Sequence, residues 1–310
     1  MSSVAELAES KELFVNLTLR ELRGKYKRSV LGWTWSLLNP LATMVIFTVV
    51  FRFFLKVQIA PGDPSGLHVF AIFLLCGLLP WNFLSSGISG AMGALISNSN
   101  LIKKVFFPRE ILVASTIASW VVSFLLEMAV LAVVLLVAGN MVLPWLVPAL
   151  ALVLVQTMFV VGLGLMFSVI NVYFRDVQYL IGIVLQIWFY ATPIVYPISV
   201  VQDALKDSPG FFTLYKLNPM VRFVEAYRDC LYDLRFPPLL DSLYLVGVSL
   251  AGAGSTGGGG VAPQQLADAI HPVFMLGLPV MAIALALVLL IPETPLRRTV
   301  RETEPPAVPA

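Results

Sequence analysis

Residues 111–138 read ILVASTIASWVVSFLLEMAVLAVVLLVA. A single ionisable residue, Glu127, interrupts a run long enough to cross the hydrocarbon core of a bilayer as one helix, a crossing that takes about 20 residues. A soluble core helix is shorter and keeps a polar face. Working outward, comparable runs occupy 37–55, 68–96, 146–170, 179–197 and 271–291, so the chain reads as an all-α membrane protein with six transmembrane helices. Of its 310 residues, 58% are hydrophobic and 12% charged, whereas soluble domains are roughly half apolar and a quarter charged. Water is therefore not its main solvent. A net charge of +2 leaves no nucleic-acid footprint.

The connections carry the remaining polarity. Residues 10–30 place Val15, Leu19, Leu22 and Tyr26 on one helical stripe and Arg20, Arg23 and Lys27 on another. This predicts an amphipathic helix at the membrane interface, its basic face toward headgroups or a partner. No apolar core follows a short basic start, so the first apolar run is expected to stay as an anchor. Pro40 is expected in the first turn of its span, where a missing N–H costs little. Residues 56–67 form a loop, 97–110 a charged connection, 139–145 a turn and 171–178 a short polar link. The stretch 198–270 holds Lys206, Arg222, Glu225, Arg228, Asp229 and Asp233 and is expected outside the bilayer. Within it Asn218-Pro219 opens a short helix ending near Tyr232. Residues 243–250 are too few to span alone, and 251–260 form a Gly-rich loop. A Pro-rich tail, 292–310, carries Arg297, Arg298 and Arg301.

Lysines and arginines in short loops set orientation. With the N-terminus inside, Arg20, Arg23, Lys25, Lys27, Arg28, Lys103, Lys104, Arg109, Arg175 and the tail arginines all fall on the cytoplasmic side. The short outer loops keep only Lys56, with Arg52 near the outer end of the first span. The expectation is a multi-pass membrane protein with both termini cytoplasmic.

No GxxxxGK[ST], HExxH or paired CxxC occurs, so the sequence offers no catalytic residue and no metal ligand set. His68 and His271 stand at span boundaries. Cys76 and Cys230 are too few for a disulfide framework. Glu127 has two readings: a station on a substrate or proton pathway, or a partner in an interhelical contact. Leaving such a group in lipid costs about 2.5–3.5 kcal/mol on insertion scales. Aromatics gather near span ends, as interfacial belts do.

Five motifs, in order, resemble the ABC-2 type permeases that export polysaccharides and polyol phosphates. They are RSVLGWTWSLLNPL at 28–41; PWNF at 80–83 with SNSNLIKKVFFPRE at 97–110; FRDV at 174–177; ATPIVYP at 191–197; and NPM at 218–220 with YRD at 227–229. The Gly-rich stretch from Ala251 and the Pro-rich tail depart from the family's compact ending.

The resemblance implies the transmembrane domain of an ABC-2 (type V) exporter, working as a homodimer with two copies of a separate ATPase that binds ATP and Mg. The cargo implied is a polyprenyl-diphosphate-linked glycan such as O-antigen, a teichoic acid or a galactan. Residues 98–110 then form the segment docking on the ATPase, with Asn98, Leu101, Lys103, Lys104, Phe107, Arg109 and Glu110 as contacts. Arg20, Arg23, Lys25, Lys27 and Arg28 meet the ATPase or the anionic headgroup, although positive-inside topology accounts for the same charges. A conduit between two copies would draw on the first and fifth spans, with Trp35, Phe47, Phe51, Trp188, Tyr190 and Tyr196 as candidates. Short external gate helices between spans five and six would carry Asn218, Tyr227, Arg228 and Asp229. Two other functions fit the same sequence: an ABC-2 permease for a drug or free lipid, and an ion-coupled secondary transporter using Glu127.

Overall fold

The computed structural model describes residues 11–26, 34–54, 59, 61–104, 107–206 and 208–254. Its elements are helices and turns, with no strand among the described residues. In chain order the helices are α1 (Lys11–Tyr26), α2 (Thr34–Phe47, continued by a π-helical stretch Thr48–Phe54), α3 (Phe70–Ser97), α4 (Ser99–Ile102), α5 (Glu110–Val137) and α6 (Leu146–Tyr173). They are followed by α7 (Val177–Tyr190), α8 (Ile198–Ala204), α9 (Pro209–Tyr215), α10 (Pro219–Arg228, continued by a π turn Asp229–Asp233) and α11 (Leu239–Gly254).

Three helices are long and apolar enough to cross a membrane: α3, α5 and α6, the last with the 3₁₀ turn Leu143–Trp145 before it. The middle of the bundle is α3, whose apolar stretch is 83% buried against 33% and 44% for the other two. It is wrapped by α2, α5, α6, α7 and α10. Its glycines make this possible. A Cβ on Gly87 would fall 2.6 Å from Val160 of α6, and one on Gly90 would fall 2.7 Å from the Trp120 indole nitrogen of α5. Phe83, Phe124 and Tyr227 fill the centre, the first two stacked at 4.9 Å and the second pair edge-on at 6.1 Å.

Pro80 lies inside α3 without ending it. Gln156 of α6 donates Nε2–H to the Pro80 carbonyl at 2.8 Å, and its Oε1 accepts the Tyr227 hydroxyl at 3.0 Å. All three are buried. One amide therefore ties α3, α6 and α10 together and leaves neither of its ends without a partner where a bare polar group would be costly.

Five expectations need correction. Pro40 stands beyond the first turn of α2, because Thr34 is already helical. The fifth span is shorter than 179–197. Helix α7 ends at Tyr190 and covers about 21 Å at 1.5 Å per residue, because Pro193 pushes Thr192 out of the helical region. Helix α6 runs to Tyr173, so the link before α7 is only three residues long. A short helix at Pro209–Tyr215 was not foreseen. Last, Ala251 to Gly254 are helical, the end of α11, rather than the start of a loop. That helix lies along α6 where the backbones meet: a Cβ on Gly162 would fall 2.6 Å from the Gly252 carbonyl carbon. The expected sixth span at 271–291 and the tail lie outside the described residues.

Candidate functional site

The candidate residues gather at two ends of the bundle. At one, residues far apart in sequence converge on Asn218. Its place before Pro219 makes it the N-cap of α10, with Oδ1 accepting the Met220 N–H at 3.0 Å, as a capping Asn does. The same oxygen accepts the Trp188 indole N–H at 2.8 Å. Both partners can only donate, which fixes the amide orientation. Nδ2 then faces the Ala191 carbonyl and Thr192 Oγ1, each at 3.4 Å. Trp188 and Phe189 in turn pack edge-on against Trp81 of α3 at 5.9 and 5.6 Å.

One helix later Arg228 reaches the same turn. Nη1 donates to the Pro193 carbonyl at 2.6 Å and to Glu225 at 3.0 Å, and Nη2 to the Ile194 carbonyl at 2.8 Å. Its Cζ lies 3.7 Å from the Phe73 ring centroid, and Gly77 makes room for the guanidinium. Burial pulls the Arg228 pKa down while Glu225 holds it up. Burial also pushes the neighbouring Asp229 up to about 6, against the opposing pull of Arg235, which pairs with it at 2.5 Å. The loop before α3 docks here as well. Tyr232 donates its hydroxyl to the Leu67 carbonyl at 2.6 Å, and Asp233 accepts the Asp63 N–H at 3.3 Å. Residues 191–197 are thus held from below by α3 and from the side by α10.

At the other end α1 sits on the connection between α3 and α5. Leu17 is buried with Ile111 and Leu112, and Leu13, Phe14, Leu95, Leu101, Ile102 and Phe107 close around them. Arg20 donates to Asn98 Oδ1 at 2.6 Å and pairs with Glu21 at 2.8 Å. The buried face of α1 therefore runs through Leu17 and Leu22, and Val15 and Leu19 are exposed. This corrects the expected apolar stripe. The physical reason is that α1 carries apolar residues on two sides, and the apolar start of α5 selects the Phe14–Leu17 side. Lys103, Lys104 and Arg109 point outward, while Leu101, Phe107 and Glu110 are half-buried. The segment thus carries its cations outside and its apolar anchors inside.

Residues 12–232 match the ABC-2 type transporter family. The chain belongs to that family. It is 32% identical to an O-antigen export system permease protein, RfbA, of Myxococcus xanthus over 80% of this chain and 90% of that protein. It is 29% identical to the RfbA of Klebsiella pneumoniae over 78% and 89% of the two. The polysialic acid transport protein KpsM of Escherichia coli is 27% identical over 69% and 78%.

In this ABC-2 transporter Asn218 and Arg228 converge with Trp188 on the turn 191–197, whereas Tyr227 faces Gln156 and Phe124 in the bundle centre and Asp229 pairs with Arg235. Trp188 is half-buried with its N–H committed to Asn218. Tyr190 is exposed, and its carbonyl accepts the hydroxyl of half-buried Tyr196 at 2.8 Å. Phe47 packs partly buried against the main core. Glu127 is half-buried on α5. Arg23 is exposed and Lys25 half-buried. Lys27, Arg28 and the side chains of Trp35 and Phe51 lie outside the described residues. Sequence reasoning missed Gln156. A lone amide in an apolar run was the available signal, since such a group needs partners in lipid.

Proposed function

We propose that this chain is the permease subunit of an ABC exporter that moves a polyprenyl-diphosphate-linked polysaccharide across the inner membrane. Two copies form the conduit, and two separate ATPase subunits supply the energy. The observation that carries this reading is the match to polysaccharide export permeases over about four-fifths of the chain and nine-tenths of the M. xanthus relative. The build of 98–110 supports it: exposed Lys103, Lys104 and Arg109 stand above apolar anchors seated under α1.

In this reading the Asn98 end is cytoplasmic and the Asn218 end external. ATP binding closes the ATPase pair, and segment 98–110 passes the motion into the bundle. The helices α8 to α10 then act as the outer gate. The ATPase carries the catalysis and this chain the path. Apolar α11, with its backbone against α6 at Gly162 and Gly252, is read as membrane-embedded.

The test is a detergent pull-down of the tagged chain from its native membrane, with mass spectrometry of what co-purifies. The expected result is a stoichiometric P-loop ATPase, lost in K103A/F107A/E110A. A clean chain with no ATPase, under conditions that preserve other ABC complexes, rejects the proposal and favours ion-coupled transport through Glu127.

A further inference from the structure

Helix α1 touches α5 at two levels. Leu17 packs with Ile111 and Leu112, and Lys25 lays its Nζ 3.3 Å from the centroid of the Trp120 ring. The two helices therefore run side by side in the same direction for about 12 Å at 1.5 Å per residue, and α1 descends beside α5 instead of lying flat. The Lys25 ammonium is shut away from solvent and finds no acceptor among the described residues. Three donors without an acceptor are costly to bury. Burial pulls its pKa down to about 8, and the carboxylates whose charge opposes this are Glu21 and Glu127. Glu21, one turn back on α1, is already paired with Arg20 at 2.8 Å. Glu127 is not so paired. It lies two turns beyond Trp120 on the same face of α5, half-buried and without an ion pair among the described residues. From α3, the neighbour at this level, comes Gly90, whose Cβ position lies 2.7 Å from Trp120 Nε1, and no charge.

We propose that Lys25 and Glu127 are each other's counter-ions, and that this pair pins α1 along α5 as a strut between segment 98–110 and the middle of the membrane. At its far end the strut is tied to that segment by Arg20 and Asn98. A displacement of the segment then moves α5 at the depth of Glu127 and not only at its end. Both residues are positioning residues. The mechanical half of the proposal rests on reading 98–110 as the ATPase dock.

The test uses the full chain with its ATPase partner in proteoliposomes, carrying K25E, E127K or both. L17C/I111C disulfide formation reports the seating of α1. Each single reversal is expected to slow cross-linking at least fivefold and to cut export at least fivefold while ATP hydrolysis continues. The swap K25E/E127K is expected to restore both within twofold. A swap no better than the worse single variant overturns the proposal. So does a K25M/E127Q chain that cross-links and exports as the parent does. If the single reversals do not assemble, recovery of assembly in the swap supports the pairing and its absence refutes it. Cross-linking that depends on both residues in a chain with no ATP-driven export keeps the pin and overturns the strut.

Discussion

Asn218, Gln156 and Arg228 show how single side chains hold an apolar bundle to one arrangement. Each spans two or more elements, and for Asn218 and Gln156 both ends of the amide are used. Replacing Gln156 by Leu leaves the Tyr227 hydroxyl buried without its partner and takes from the Pro80 carbonyl its side-chain donor, a loss of about 1–3 kcal/mol. Y227F should cost less, because it removes one donor and leaves Gln156 its other bond. In Q156L/Y227F the penalties should be less than additive, as read from thermal unfolding in detergent. Asp229 makes a pH prediction. Its folded pKa, about 6, is above the ordinary value of 3.8, so the folded state binds its proton more tightly. Its contribution to stability is full below about pH 4 and is lost as pH rises through 6. D229N should flatten the fall in stability between those limits, leaving the smaller slope from Asp233, which burial also raises. Asn218 was legible in sequence, since Asn before Pro is a helix opener, and Arg228 was legible as a charge that needed a reason. The carbonyls that Arg228 grips were not, because main-chain acceptors have no letter in a sequence.

Helix positions followed from apolar period and length; helix ends did not. The long runs gave α3, α5 and α6 to within about three residues, because hydrocarbon thickness dictates their length. The end of α7 was set by local proline chemistry that hydropathy does not weigh. Helix α11 was harder still. Its glycines read as a flexible stretch, but Gly252 is the place where two helix backbones touch. The contact is one-sided and so gives an asymmetric prediction. A methyl group at Gly162 would fall 2.6 Å from rigid backbone, whereas one at Gly252 would meet Gly162 Cα at an ordinary 3.8 Å. G162A should lower stability by about 1–3 kcal/mol, as overpacking does. G252A should be close to neutral. Equal effects of the two, measured by unfolding midpoint in the same detergent, would contradict the packing.

At the scale of the whole molecule, the proposed function requires the Asn98 and Asn218 ends to face opposite sides of one bilayer. K103C is expected to react with an impermeant maleimide only from the cytoplasmic side and D203C only from outside, in chains that keep export. Between these ends stands α3, sheathed by five other helices and the least apolar of the three long spans. Most of its surface meets protein, not lipid, so its glycines and Pro80 answer to neighbours that do not yet exist when it leaves the ribosome. During synthesis α3 is therefore, of the three long apolar helices, the one the membrane itself holds least well. Its settled place comes only once α5 and α6 have followed it in, which makes insertion of this chain an act of assembly rather than a sequence of independent crossings.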